Sequence, residues 1–169
     1  MGDNSIKIIF LDIDGVLNCH ESKSRCDGFI GIDNSKVKCL SEIIKETNAK
    51  IVLCSSWKSD WERINKSEQG QPGNYLDKKL RKVRLFILDK TNDNGGNRGE
   101  GIYNWIQEHS NIESWIVLDD EIFPDYEKFN IMPHLVKTNF YTIQGGLLYK
   151  HVDQAIKLLN EVQGKGSYE

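Results

Sequence analysis

The stretch IKIIFLDIDG, residues 6–15, decides the fold. Its first six positions, Ile6–Leu11, are too uniformly apolar for a strand with one wet face, where apolar and polar side chains would alternate. Such a run belongs in the middle of a parallel sheet covered on both sides. The strand is followed at once by Asp12-Ile13-Asp14-Gly15. Alone, a DxD pair is weak, because Asp and Gly are common turn formers. It gains weight from what the rest of the chain repeats.

Outward from this strand, buried apolar segments alternate with segments of helical period. Asp33 or Asn34 caps a predicted helix with Val37, Leu40, Ile44 and Thr47 on one face. Lys50–Cys54 (KIVLC) reads as a second buried strand. Trp57–Lys66 and Tyr75–Arg84 read as helices separated by the turn-rich Gln69–Asn74. Leu85–Leu88 is a short strand, Thr91–Asn97 a loop, and Gly101–His109 a helix with Ile102, Trp105 and Ile106 inward. Ser114–Leu118 (SWIVL) is a third strong strand, Leu135–Lys137 a fourth, and Leu148–Val162 a closing amphipathic helix. This βαβα order predicts an α/β fold: one domain over residues 1–169, built on a doubly wound, mainly parallel sheet with helices on both faces. Ligands of such sheets bind outside the carboxyl ends of the strands. There the chain places Asp12 and Asp14, then Ser55 and Ser56, then Asp119 and Asp120. Clustered carboxylates are costly unless a cation neutralises them, and an all-oxygen donor set suits Mg2+.

FLDIDGVLN resembles the first motif of the haloacid dehalogenase-like (HAD) superfamily, and IVLCSSW resembles the second. Arg98 in NRGEGIYNWI stands at the basic position of the third, and WIVLDDE resembles the fourth; all lie in the right order between Ile6 and Glu121. The combination SSWK, RGxxIxxWI, VLDD and a late VKT…GGL is similar to the HAD domains associated with RNA-repair proteins, although Gly101 stands where that pattern usually has a glutamate. The resemblance implies a phosphatase whose nucleophile is Asp12 and whose acid–base is Asp14. It also implies Mg2+ held by Asp12, the Asp14 carbonyl and Asp119 with Asp120 nearby, and a phosphate bound by Ser55, Ser56 and Arg98. Lys90, at a strand end, competes with Arg98; Asp125 competes with Asp120. Only about 22 residues separate Asp12 from the next helix, room for a flap but not a cap domain. An open site suits a phosphate on a large molecule, and the resemblance favours an RNA or DNA end.

Composition excludes little else. A net charge of -3 over 169 residues gives no global pull toward nucleic acid or anionic membrane. No apolar stretch approaches a membrane span, and the acidic residues flanking the short N-terminal apolar run do not make a signal peptide. Cys19, Cys26, Cys39 and Cys54 lack CxxC spacing and read as unpaired thiols, which points to the cytoplasm; Cys19, His20 and Cys26 match no zinc pattern. Trp57, Trp61, Trp105 and Trp115 read as core. Lys78, Lys79, Arg81, Lys82 and Arg84 read as the wet face of a helix, with a polyanion site as the alternative. Gly95, Gly96 and Gly99 do not form a P-loop. Three rival functions fit less well. A phosphoacceptor domain needs its Asp where Cys54-Ser55 stands, a DxD nuclease needs an earlier Glu strand, and a silent partner-binding HAD has no need of both Asp12 and Asp14.

Overall fold

A computed structural model describes residues 4–93 and 96–161. The decisive stretch forms β1 (Ile6–Leu11), flanked by β4 (Lys50–Leu53) and β6 (Ile112–Asp119). With β5 (Ile87–Lys90) and β7 (Leu135–Lys137) the sheet runs β5-β4-β1-β6-β7, every pair parallel. The apolar run of β1 is explained by two cores. Ile9 and Leu11 pack under α1 (Asn34–Thr47), α2 (Gln71–Arg81) and α4 (Tyr149–Asn160), through Leu40, Leu76 and Ala155 among others. Ile8 and Phe10 face the opposite way, against Ile102 and Trp105 of α3 (Arg98–Gln107) and against Tyr126 and Ile131. Alternate side chains thus meet different helices, the doubly wound arrangement, and from Ile8 to Leu11 no face of β1 is wet.

No large cap stands over the sheet among the described residues. Between β1 and α1 the chain makes only a hairpin, β2 (Arg25–Cys26) with β3 (Phe29–Ile30), which is the small flap. No described helix is long and apolar enough to cross a membrane.

Several predicted elements shift. Residues 57–66 are not an α-helix: Ser56–Asp60 and Lys66–Glu68 are short 3-10 turns. The carbonyls of Lys58 and Trp61 accept from Lys90 Nζ at 2.9 and 2.6 Å, and the Lys58 carbonyl also takes the Trp61 N–H at 3.3 Å, a 3-10 bond rather than an α-helical one. The Glu62 N–H goes to Gln69 Oε1 at 3.0 Å. α2 begins four residues before Tyr75, with Pro72 in its first turn, where a missing N–H costs nothing. Gly73 is needed there because a side chain would meet the Asp60 carbonyl oxygen at 2.1 Å. β5 falls two residues later than expected, and α3 begins at Arg98 rather than Gly101. Gly95 and Val162 lie outside the described residues.

Candidate active site

Register brings the strand ends level. Leu11 pairs with Leu53 on one side and Leu118 on the other. The ladder continues one step, with Cys54 N–H donating to the Leu11 carbonyl and Asp12 N–H to the Leu118 carbonyl, both at 3.0 Å. The chain visits β4 and β5 on one side of β1 before resuming with β6 on the other. The crevice between β1 and β6 is therefore the topological switch point, and Asp12 and Asp119 leave the sheet there, both buried.

Carboxylate oxygens of Asp12, Asp119 and Asp120 lie within 4.8 Å of one another. Arg98 binds across two of them, Nη1 at 3.2 Å from Asp12 Oδ1 and 2.8 Å from Asp119 Oδ2. Its guanidinium also lies 4.2 Å from the Phe123 ring centre. Tyr126 donates its hydroxyl to Asp119 Oδ2 at 2.6 Å, and the Glu121 N–H reaches Asp119 Oδ1 at 3.0 Å. Burial, with the Asp119 charge next, pushes the Asp12 carboxyl well above the ordinary range even though Arg98 pulls it down. Asp120 is pushed up to about 6, chiefly by burial. Burial opposes the charge on Arg98, but the anionic groups around it, Asp12 and Asp119 included, raise its pKa. Three carboxylates against one guanidinium leave the cluster short of positive charge, an all-oxygen donor set that fits a divalent cation.

Other candidates separate clearly. Lys90 points its ammonium at the backbone carbonyls after β4, not at the carboxylates. Asp125 is outside the carboxylate cluster: its two oxygens accept the N–H groups of Gly99 and Glu100 at 3.0 and 2.9 Å. It thereby caps the helix that opens with Arg98. The Asp14 carboxylate is exposed and stands apart from the trio, with Oδ1 accepting from Asn18 Nδ2 at 2.9 Å and Oδ2 from Trp57 Nε1 at 3.1 Å. Ser55 is buried and its hydroxyl accepts the Trp57 N–H at 3.2 Å, the capping use of a strand-end serine. Ser56 is the serine that lines the cavity over the carboxylates, a space of about 280 Å³ whose wall also holds Asp12, Asp14, Arg98, Phe140 and Tyr141.

Gly15 holds this geometry together. Its φ is +83°, and a Cβ there would sit 2.3 Å from Asp120 Cγ. Only glycine lets that carboxyl close on the β1 loop. Thr138 donates to the Gly15 carbonyl at 2.5 Å, and buried Asn18 ties the Gly15 N–H, Asp14 and the Gly31 carbonyl together, each at 2.9 Å. Gly15→Ala is expected to expel the Asp120 carboxyl and to strain the backbone by about 1–2 kcal/mol. Calorimetry should then show Tm lowered by roughly 2–8 °C; an unchanged Tm would mean that the loop relaxes freely.

Asn18, Tyr126, Thr138 and the aromatic pair Phe140–Tyr141 were not singled out by the sequence. Asn18 carried one signal, an Asn four residues after Asp14 within an apolar run. Thr138 lay within the late VKT stretch without being given a role, and Tyr126, Phe140 and Tyr141 come from distant loops and carried no signal. Trp57 does pack on the core, but its indole N–H also serves Asp14. The four cysteines are buried and unpaired, and among the described residues the Asp trio is the group able to hold an ion.

Compared with known proteins, residues 8–147 match the family described as the HAD domain in Swiss Army Knife RNA repair proteins. Searches of the curated proteins and of the solved structures found no match.

Proposed function

Because the chain belongs to that family of HAD domains, we propose that it is a magnesium-dependent phosphatase that hydrolyses a phosphomonoester through an aspartyl-phosphate on Asp12. The observation that carries this reading is the buried Asp12–Asp119–Asp120 cluster, bound by Arg98 at the switch point. Asp12, Asp119, Asp120 and the Asp14 carbonyl would hold Mg2+. Bound there, the ion supplies positive charge that lets a carboxylate approach an anionic phosphate.

Asp12 attacks phosphorus with a carboxylate oxygen, and the bond from phosphorus to the leaving oxygen breaks as the new one forms. Asp14 gives its proton to that oxygen. It then takes one from the water that attacks the phosphoenzyme and releases inorganic phosphate. Arg98 steadies Asp12 and the phosphoryl charge. Ser56, in the cavity wall, donates to a phosphoryl oxygen; Ser55, whose hydroxyl hydrogen is left over from its capping bond, is the second donor. Asn18 and Trp57 fix the plane of the Asp14 carboxyl while leaving lone pairs free.

The absence of a large cap among the described residues leaves the site open to a phosphate on a large molecule. The family's association with RNA repair makes a nucleic-acid end the favoured substrate. Four unpaired cysteines suit a cytoplasmic setting. The test is hydrolysis by the purified chain, with magnesium or EDTA, of 5′- and 3′-phosphorylated RNA and DNA, phosphopeptides and small phosphates. Magnesium-dependent release of phosphate from one of these classes is expected. No turnover of any, with magnesium-dependent phosphate binding intact, would leave only a phosphate-binding module.

Metal removal gives a second expected result. The Asp120 carboxyl, whose folded pKa is raised to about 6, makes the metal-free protein lose stability as pH rises from the ordinary Asp value of 3.8 through about 6, and Asp12, raised well above that ordinary value, acts in the same direction. Magnesium needs those groups ionised, so its stabilisation should grow over the same window. At ten times its Kd it should raise Tm by about 3–6 °C near neutral pH. Near pH 4 the shift should vanish. A shift independent of pH would place the ion elsewhere.

A further inference from the structure

A second cavity, of about 380 Å³, lies beside β5, at the open edge of the sheet. Its wall includes Trp61, Arg63 and Lys66 from the segment after β4, Arg81 and Arg84 from the end of α2, and Phe86. Lys66 is already engaged, 4.2 Å over the Trp61 ring and 2.9 Å from Asp77. Arg63, Arg81 and Arg84 are exposed, and no side chain among the described residues pairs with them. Phe86 leaves 70% of its surface to solvent.

Two bland explanations account for part of this. Cations near a helix C-terminus offset its dipole, which suffices for Arg81 and Arg84. A lone exposed apolar residue needs no explanation. Neither covers Arg63, delivered to the same cavity by a different segment. Arg84 is also unusual in its backbone, with φ at +61°. It closes α2 through N–H bonds from Arg84 to the Arg81 carbonyl and from Leu85 to the Leu80 carbonyl, both at 3.0 Å. Glycine is the easier residue at such a helix end. In a chain of net charge -3, three unpaired guanidinium groups around one exposed aromatic ring form a local exception.

We propose that this groove is a second binding site, one that takes the backbone of a single-stranded nucleic acid. Arg63, Arg81 and Arg84 meet its phosphates, and Phe86 stacks on a base. Planar guanidinium groups suit phosphate oxygens. An exposed ring beside them suits an unpaired base, which offers a π face that a duplex conceals and an acidic peptide lacks. The segment that starts at Ser56 in the carboxylate cavity continues to Trp61 and Arg63 in the groove, so one stretch of chain links the two.

The site stands independently of the phosphatase reading, and its test keeps them apart. The probe is a fluorescent single-stranded RNA of about twelve nucleotides with hydroxyls at both ends, added to the full chain in EDTA. Neither a terminal phosphate nor a metal is then present to engage the carboxylates. Three phosphate contacts predict a slope of about -2 in log affinity against log salt, roughly a twentyfold loss between about 50 and 200 mM. Arg63→Gln, Arg81→Gln and Arg84→Gln together should flatten that slope. Phe86→Ala should weaken binding about fivefold or more with the slope kept. Arg84→Gly should weaken binding while Tm holds or rises, which removes misfolding as the cause.

Equal binding by the triple variant, or no binding by the parent chain at about 50 mM salt, overturns the proposal. So does poly-glutamate binding as tightly, with Phe86→Ala without effect. A chain that hydrolyses small phosphates but ignores RNA loses the groove alone. One that binds RNA with the expected slope but hydrolyses nothing loses the phosphatase reading alone.

Discussion

Asp12→Asn is expected to lower magnesium-dependent turnover of an aryl phosphate by at least about 10⁴-fold, because an amide oxygen does not replace the carboxylate nucleophile. The fold should survive. The neutral amide removes a buried charge that burial and Asp119 both disfavour, while Arg98 keeps its 2.8 Å bond to Asp119. Tm in EDTA should therefore stay level or rise, and the rise normally produced by magnesium should shrink. Near-parental turnover in a preparation free of contaminating phosphatase would remove Asp12 as nucleophile. A collapse of Tm would make it a structural residue instead.

Strand ends were legible from the sequence because a buried parallel strand announces itself as a continuous apolar run. In three such runs the first polar residues mark where the sheet stops. Asp12, Ser55 and Asp119 could thus be placed at one edge before any register was known. Arg98 was legible as the basic residue of the third resembled motif, just before the helix expected from Gly101, and Lys90 was a fair competitor because it does end a strand. The two side chains point differently, Arg98 to Asp12 and Asp119 and Lys90 to the carbonyls of Lys58 and Trp61, and spacing does not encode that direction. The stretch from Trp57 to Lys66 failed for a related reason. Trp57 and Trp61 have helical spacing, but Lys90 of β5 and the nearer Gln69 bond to backbone groups an α-helix would have used. Tertiary partners overrode a local pattern. The same holds for Asp14, whose orientation depends on Asn18 and Trp57, and for Asp125, an acidic residue that caps a helix rather than joining the carboxylates.

Asp14→Asn separates two-step hydrolysis from simple phosphate capture. A carboxylic acid beside the leaving oxygen matters most when that oxygen departs as a poor leaving group, such as a sugar alkoxide, and much less for nitrophenolate. Turnover of alkyl phosphates should fall by about 10²–10⁴-fold, the range of a lost general acid. Formation of the phosphoenzyme from the activated ester should fall far less. Its breakdown should also slow, since no base remains to activate water, so phosphorylated Asp12 should accumulate and be seen by mass spectrometry after a rapid quench. Asp14 accepts hydrogen bonds on both oxygens, from Asn18 and from Trp57, and an asparagine amide can accept only one of them. Trp57→Phe is the control, because it removes one of these bonds and leaves the acid in place. It should slow both substrate classes to a similar, smaller extent and trap no intermediate. If Asp14→Asn behaves like Trp57→Phe, with equal losses on both substrates and no phosphoenzyme, Asp14 only shapes the loop and the acid–base role must pass to another group.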